Sequence, residues 1–368
     1  MTQHEHHAQP QPQAHTQAQP QGDREPVLGV RNLTTSFRTD DGMVTAVDDV
    51  SFDLFAGETL GIVGESGCGK TVTSKSIMRL LPEHITRYGE DSRVMLGGED
   101  ILHADAKAMR AVRGDKIAMI FQEPMTSLNP VFTVGWQLDE ALREHTGLNK
   151  RERRDRAVEM LRLVEIPNAE KRLKEYPHQL SGGMRQRVMI AMALCCEPDV
   201  LIADEPTTAL DVTIQAQILA LINKLREETG RAVMLITHDL GVVATTCDRV
   251  MVMYAGRVIE SGPVRELFHR ARHPYTRALL ESIPKRGKRR IDGRLPTIAG
   301  IVPALTDLPV GCRFEARCPY SDGLRCVQEE PELEGTQRPV RCHFPLGSTR
   351  ERPAMLTSSA TGGGKAGR

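Results

Sequence analysis

The sequence predicts an α/β fold: a mostly parallel sheet with helices on both faces. Three observations predict it. Short apolar runs at Thr59–Val63, Lys116–Phe121, Val200–Ala203 and Ala232–Thr237 read as strands. Helical stretches alternate with them, from Lys70 to about Leu81, over 137–175 and over Met184–Leu194. A glycine-rich turn joins the first of these strands to the first helix.

The elements follow in order. Residues 1–25 are rich in Gln, His, Pro and Ala and read as a disordered polar tail, because they lack the apolar surface that would offset the entropy of ordering. Val27–Phe37 and Ala46–Leu54 read as strands ahead of the parallel set. Val188–Cys196 is uncharged but far shorter than the ~18 residues that span a bilayer, so it reads as part of a buried helix. Residues 349–368 form a second polar tail, and the basic run Lys285–Arg290 reads as a solvated linker. No internal repeat is visible, which predicts one cassette in the chain.

Bulk composition narrows the function classes. The chain has 368 residues, with 48 Lys+Arg against 48 Asp+Glu. A balanced charge gives no general attraction to nucleic acid or anionic lipid. The first residues are polar where a secretory signal would be apolar. A soluble, cytoplasmic chain is therefore expected. In a reducing compartment a disulfide framework is not expected for the eight cysteines.

Gly64-Glu65-Ser66-Gly67-Cys68-Gly69-Lys70-Thr71 matches the phosphate-binding loop pattern and sits between a strand and a helix, as that chemistry requires. Its backbone N–H groups and the helix N-terminus suit phosphate. Lys70 would reach the β- and γ-phosphates, and Thr71 would offer a hydroxyl to Mg²⁺. Cys68, beside Lys70 and a helix start, is expected to be a reactive thiolate. Val200–Ala203 leads into Asp204 and Glu205, at the carboxyl end of a strand where open α/β sheets bind ligands. Asp204 would hold Mg²⁺ and Glu205 would accept a proton from attacking water.

Leu180-Ser181-Gly182-Gly183-Met184-Arg185-Gln186 opens a helix. With it, the sequence resembles the ABC ATPases, whose signature is LSGGQ; Met184 replaces the usual Gln. The resemblance implies a RecA-like P-loop core with an antiparallel β arm and an inserted helical subdomain over about 123–180. The ATPase domain would span 26–265. The resemblance further implies two nucleotides held in a head-to-tail dimer, with Ser181, Gly182 and Gly183 contacting ATP bound by the partner. It assigns Gln122 to the loop that touches Mg²⁺ or the attacking water. It assigns Asp211, in Ala209-Leu210-Asp211, to the dimer contact, His238 to the γ-phosphate and Phe37 to adenine stacking. Residues 123–136 would meet the permease.

The segments Ser181–Leu219, Gln122–Pro130, His273–Thr276 and Gly311–Tyr320 narrow the resemblance to the D-type ATPase of dipeptide and oligopeptide importers, over residues 27–345. This implies an ATPase at the cytoplasmic face of the membrane, two permease subunits, an F-type ATPase partner, an external solute-binding protein acting indirectly, and no nucleic acid. ABC ATPases of DNA repair or translation are the alternative; the gap from Gln122 to Ser181 leaves no room for the long coiled coil of the repair enzymes. Residues 266–348 would form a small C-terminal domain. Its Cys312, Cys318, Cys326 and Cys342 are separated by five, seven and fifteen residues, a poor fit to zinc ribbons. The family likeness implies a [4Fe–4S] cluster there, with zinc as the alternative.

Overall fold

The computed structural model of the chain describes residues 24–122, 127–207, 211–283 and 298–348. Both expected tails, Lys285–Arg290, the first residues of the expected permease-facing stretch (123–126) and Ala209-Leu210 lie outside the described residues, apart from Arg24 and Glu25.

The N-terminal third forms an antiparallel arm. β1 (Leu28–Thr39) pairs β2 (Gly42–Leu54) along its length and also pairs β4 (Thr86–Tyr88) and β5 (Arg93–Leu96), with β6 (Glu99–Asp100) outside β5. Between these, β3 (Thr59–Val63) feeds α1 (Lys70–Ile77). The helix stops earlier than about Leu81 because Arg79 takes φ 48°, which ends α-helical bonding just before Pro82.

The second sheet continues through α2 (Ala106–Val112), β7 (Ile117–Ile120), the helices α3 (Val134–His145), α4 (Lys150–Leu163), α5 (Ala169–Arg172) and α6 (Gly182–Leu194), then β8 (Val200–Asp204), α7 (Val212–Thr229), β9 (Ala232–Ile236), α8 (Leu240–Thr246), β10 (Arg249–Tyr254) and β11 (Arg257–Pro263). β10, β3, β9, β8 and β7 are parallel neighbours in that order. Every residue of β3, β8 and β9 is buried, as expected of strands covered on both faces. On one face, Leu138, Leu161, Val188 and Ile222 pack with Leu201 and Leu235. The helices from α3 to α6 therefore share a core with the sheet.

The C-terminal segment holds α9 (Val264–His269), α10 (Pro274–Glu281), α11 (Arg325–Gln328), β12 (Leu333–Glu334) and β13 (Val340–Arg341). β13 pairs β11 through Glu260 and Val340, so this segment extends the edge of the main sheet. Its Tyr275 and Phe314 share an apolar cluster with Val63, Val250 and Tyr254 of the parallel sheet.

Candidate active site

The carboxyl ends of β3, β8 and β9 converge, and the loops leaving them carry the site. The loop after β3 can take its path only with glycine at two points. At Gly64 (φ 155°) a Cβ would collide with the Met253 carbonyl and the Cys68 sulfur. At Gly69 (φ 103°) it would strike the Ala46 carbonyl oxygen. This crowding, rather than turn propensity alone, excludes side chains there.

Lys70 is buried, and its Nζ donates to the carbonyls of Gly64 at 2.8 Å and Glu65 at 3.1 Å. Thr71 Oγ1 donates to Asp204 Oδ1 at 3.2 Å, and Ser74 Oγ to Asp204 Oδ2 at 3.4 Å. Burial raises the Asp204 carboxyl above its ordinary pKa; the Thr71 bond opposes that and the neighbouring Glu205 adds to it. Glu205 takes φ 46°, and its N–H bonds the Ile236 carbonyl at 2.9 Å, which turns its side chain out of the strand. Gln122 Nε2 donates to Glu205 Oε2 at 2.9 Å, and His238 Nδ1 lies 3.3 Å from Glu205 Oε1. Thus Lys70, Thr71, Asp204, Glu205, Gln122 and His238, spread over 168 positions of sequence (238 minus 70), surround the end of the sheet. His238 is 68% exposed, so this face is open in the single chain. A buried cation, the half-buried Thr71 hydroxyl and a buried carboxylate are the donor set that a Mg²⁺–triphosphate requires.

Other expected residues stand elsewhere. Ser181 caps α6, accepting from the Met184 N–H, and Gly182 is exposed beside it. These and Gly183 lie outside the hydrogen-bonded set above. The helix is tied to the site from behind, by Gln186 Nε2 donating to the Pro206 carbonyl. Asp211 caps α7 through the Ile214 N–H. Phe37 sits half-buried on the arm, opposite Val44 and Thr86.

One expectation needs correction. Cys68 is 1% exposed, and burial raises its thiol pKa despite Lys70, so the reactive thiolate is not supported. The Glu65 carboxylate pairs with Arg317 of the C-terminal segment. What Glu65 brings to the loop is therefore its backbone. The roles of Arg317 and Tyr275 escaped the sequence reading, and separations of 252 and 210 residues from Glu65 leave no local signal for them.

The four C-terminal cysteines line one cavity together with His273 and His343. Burial, with the other three thiols nearby, pushes Cys312 up to about 12, and burial pushes Cys326 to about 11. Among the described residues, however, no group of three or more His, Cys, Asp or Glu is arranged to hold a metal ion.

The sequence pattern of the ABC transporter family matches residues 47–208, and that of the oligopeptide/dipeptide transporter C-terminal region matches 259–326. A probable peptide ABC transporter ATP-binding protein of Sinorhizobium fredii is 55% identical over 311 residues, covering 84% of this chain and 92% of that protein. The chain belongs to the ABC transporter ATP-binding family. The dipeptide transport ATP-binding protein DppD of Bacillus subtilis is likewise similar to this ABC ATPase, at 55% identity over 80% of this chain and 87% of that one. Among solved structures, the dimeric bacterial cassette MJ0796 aligns with a TM-score of 0.58 at 30% identity, covering 65% of this chain and 99% of its own. A post-hydrolysis state of that cassette, bound to ADP and Pi, aligns equally well. This chain is accordingly an ATP-hydrolysing subunit with the P-loop ABC fold. No described helix is long and apolar enough to cross a membrane.

Proposed function

We propose that this ABC ATPase powers peptide uptake through two separate permease subunits, docked at the cytoplasmic face of the membrane. The observation that carries this reading is the pair of matched regions in this chain, cassette and oligopeptide/dipeptide C-terminal region, beside relatives named for peptide transport. An F-type ATPase would supply the opposite half of a head-to-tail dimer, and an external binding protein would deliver the peptide. A nucleic-acid role in repair or translation gains no support from relatives whose names describe transport.

The chemistry follows from the donor set. Lys70 and the loop amides neutralise and orient the phosphates. Thr71, Asp204 and Gln122 would hold Mg²⁺, which supplies charge neutralisation on the phosphate oxygens. Glu205, aimed out of β8 and held between Gln122 and His238, accepts the proton of the attacking water. His238 would contact the γ-phosphate, and the half-buried Phe37 ring would stack on adenine. The amides of Gly182 and Gly183, with Ser181 at a helix N-terminus, would bind the nucleotide of the partner. Asp211 would stand at the matching contact. At the C-terminus, Cys312, Cys318, Cys326 and Cys342 would hold a [4Fe–4S] cluster, whose ligand count they match. Their shared cavity supports that reading.

Transport in lipid vesicles tests the proposal. Vesicles carrying the co-purifying permeases, this chain and its partner ATPase are expected to move labelled dipeptide only with ATP. Transport of nickel or glutathione in place of peptide would contradict it.

A further inference from the structure

We infer that Arg317 and Tyr275, from the C-terminal segment, are positioning residues of the phosphate loop, so that this segment forms part of the nucleotide site. The inference rests on the reading of residues 64–71 as the phosphate loop. Arg317 makes a two-pronged pair with Glu65: Nη1 to Oε2 at 2.7 Å and Nη2 to Oε1 at 3.0 Å. The arginine side chain is 4% exposed. Its Nε donates to the Ala299 carbonyl at 3.0 Å, and Nη1 also reaches the Tyr254 hydroxyl at 3.3 Å. The guanidinium carbon lies 5.7 Å from the Tyr254 ring centre and 5.9 Å from that of Phe314. An arginine bonded and stacked on several sides has little freedom, so its fork fixes the carboxylate it holds.

Tyr275 grips the same residue by its backbone. The Glu65 N–H donates to the Tyr275 hydroxyl at 2.9 Å, and Tyr275 is fully buried. Its ring packs against Tyr254 at 4.7 Å and Phe314 at 5.3 Å between centroids. Glu65 thus has its N–H and carboxylate held from the C-terminal segment, while its carbonyl accepts from Lys70 Nζ and the Cys68 N–H. A second arginine of the same short segment reaches the far end of the loop. Arg313 Nη1 donates to the Ala255 carbonyl at 2.6 Å, and the next N–H, of Gly256, bonds the Cys68 carbonyl at 3.0 Å. Both arginines lie between Cys312 and Cys318.

The consequence is specific. The loop amides need a fixed path to present several N–H groups to phosphate at once. Freeing Glu65 lets the loop sample other paths, and binding then carries the cost of reordering it. The effect falls on nucleotide affinity, with turnover at saturating ATP nearly kept.

Binding of a fluorescent ATP analogue with Mg²⁺ to the full chain, alongside steady-state ATPase kinetics, tests this. Arg317→Ala is expected to raise Kd and KM about tenfold, equivalent to about 1.4 kcal/mol, with kcat within about twofold of the parent. Tyr275→Phe should shift both in the same direction by less. Arg317→Lys, which keeps the charge and loses the fork, takes the place of Arg317→Ala if the latter does not fold. A double-mutant cycle with Glu65→Gln separates a local role from general destabilisation: the combined variant is expected to bind no more weakly than Arg317→Ala alone. Unchanged Kd in folded Arg317 variants, or strictly additive losses in the cycle, would overturn the inference. Lys70→Ala is the reference variant. Retained affinity there would overturn the phosphate-loop reading itself, whereas its loss beside a normal Arg317→Ala would overturn the positioning role alone.

Discussion

Cys68 stands in the phosphate loop beside Lys70 and the start of α1, a setting that in sequence terms lowers a thiol pKa. In the folded chain its sulfur packs against Gly64 and lies 3.8 Å from Lys70 Nζ, with 1% of the residue exposed. Desolvation of the thiolate outweighs the nearby cation. Native protein is therefore expected to label slowly at Cys68 with maleimide, by peptide mass mapping, and Cys68→Ser should share the reagent sensitivity of the parent. Rapid labelling of Cys68 that bound ATP prevents would contradict this. The lesson for legibility is one of distance. That Lys70, Thr71, Asp204 and Glu205 come together could be expected because they lie in short motifs at strand ends. The environment of Cys68 and the grip of Arg317 on Glu65 depend on residues far away in sequence, which no spacing encodes.

At the scale of elements, the buried strands were the most legible. Thr59–Val63 agrees end to end, and β8 and β9 differ from the expected runs by one residue. Five-residue runs with at most one polar residue, buried throughout, leave little choice of assignment. The small strands β4, β5 and β6 were missed because two to four residues carry no detectable period. The hairpin of β10 and β11 was also missed, although its turn at Ala255 and Gly256, both with positive φ, follows an apolar run. The cysteine segment was legible as a cluster, and its four thiols do line one cavity. Its docking onto the phosphate loop was not. If that cavity takes up a [4Fe–4S] cluster, anaerobically purified protein is expected to be brown, to absorb broadly near ~400 nm and to contain iron and sulfide. Colourless protein with stoichiometric zinc, or with no metal, would contradict the assignment.

For the whole molecule, the architecture brings separated motifs together at one place. The parallel sheet delivers Lys70, Asp204, Glu205 and His238 to one edge, and Gln122 arrives from the end of β7. The C-terminal segment closes around the back of the phosphate loop. The signature residues Ser181 to Gly183 remain at an exposed helix start, which suits a nucleotide shared between two chains. The central claim is that this site hydrolyses ATP with Glu205 as the base. The most direct measurement is the ATPase rate of Glu205→Gln set against its ATP affinity. The account predicts unchanged affinity and a rate about 10²–10⁴-fold lower. A near-parental rate with the same affinity would contradict it.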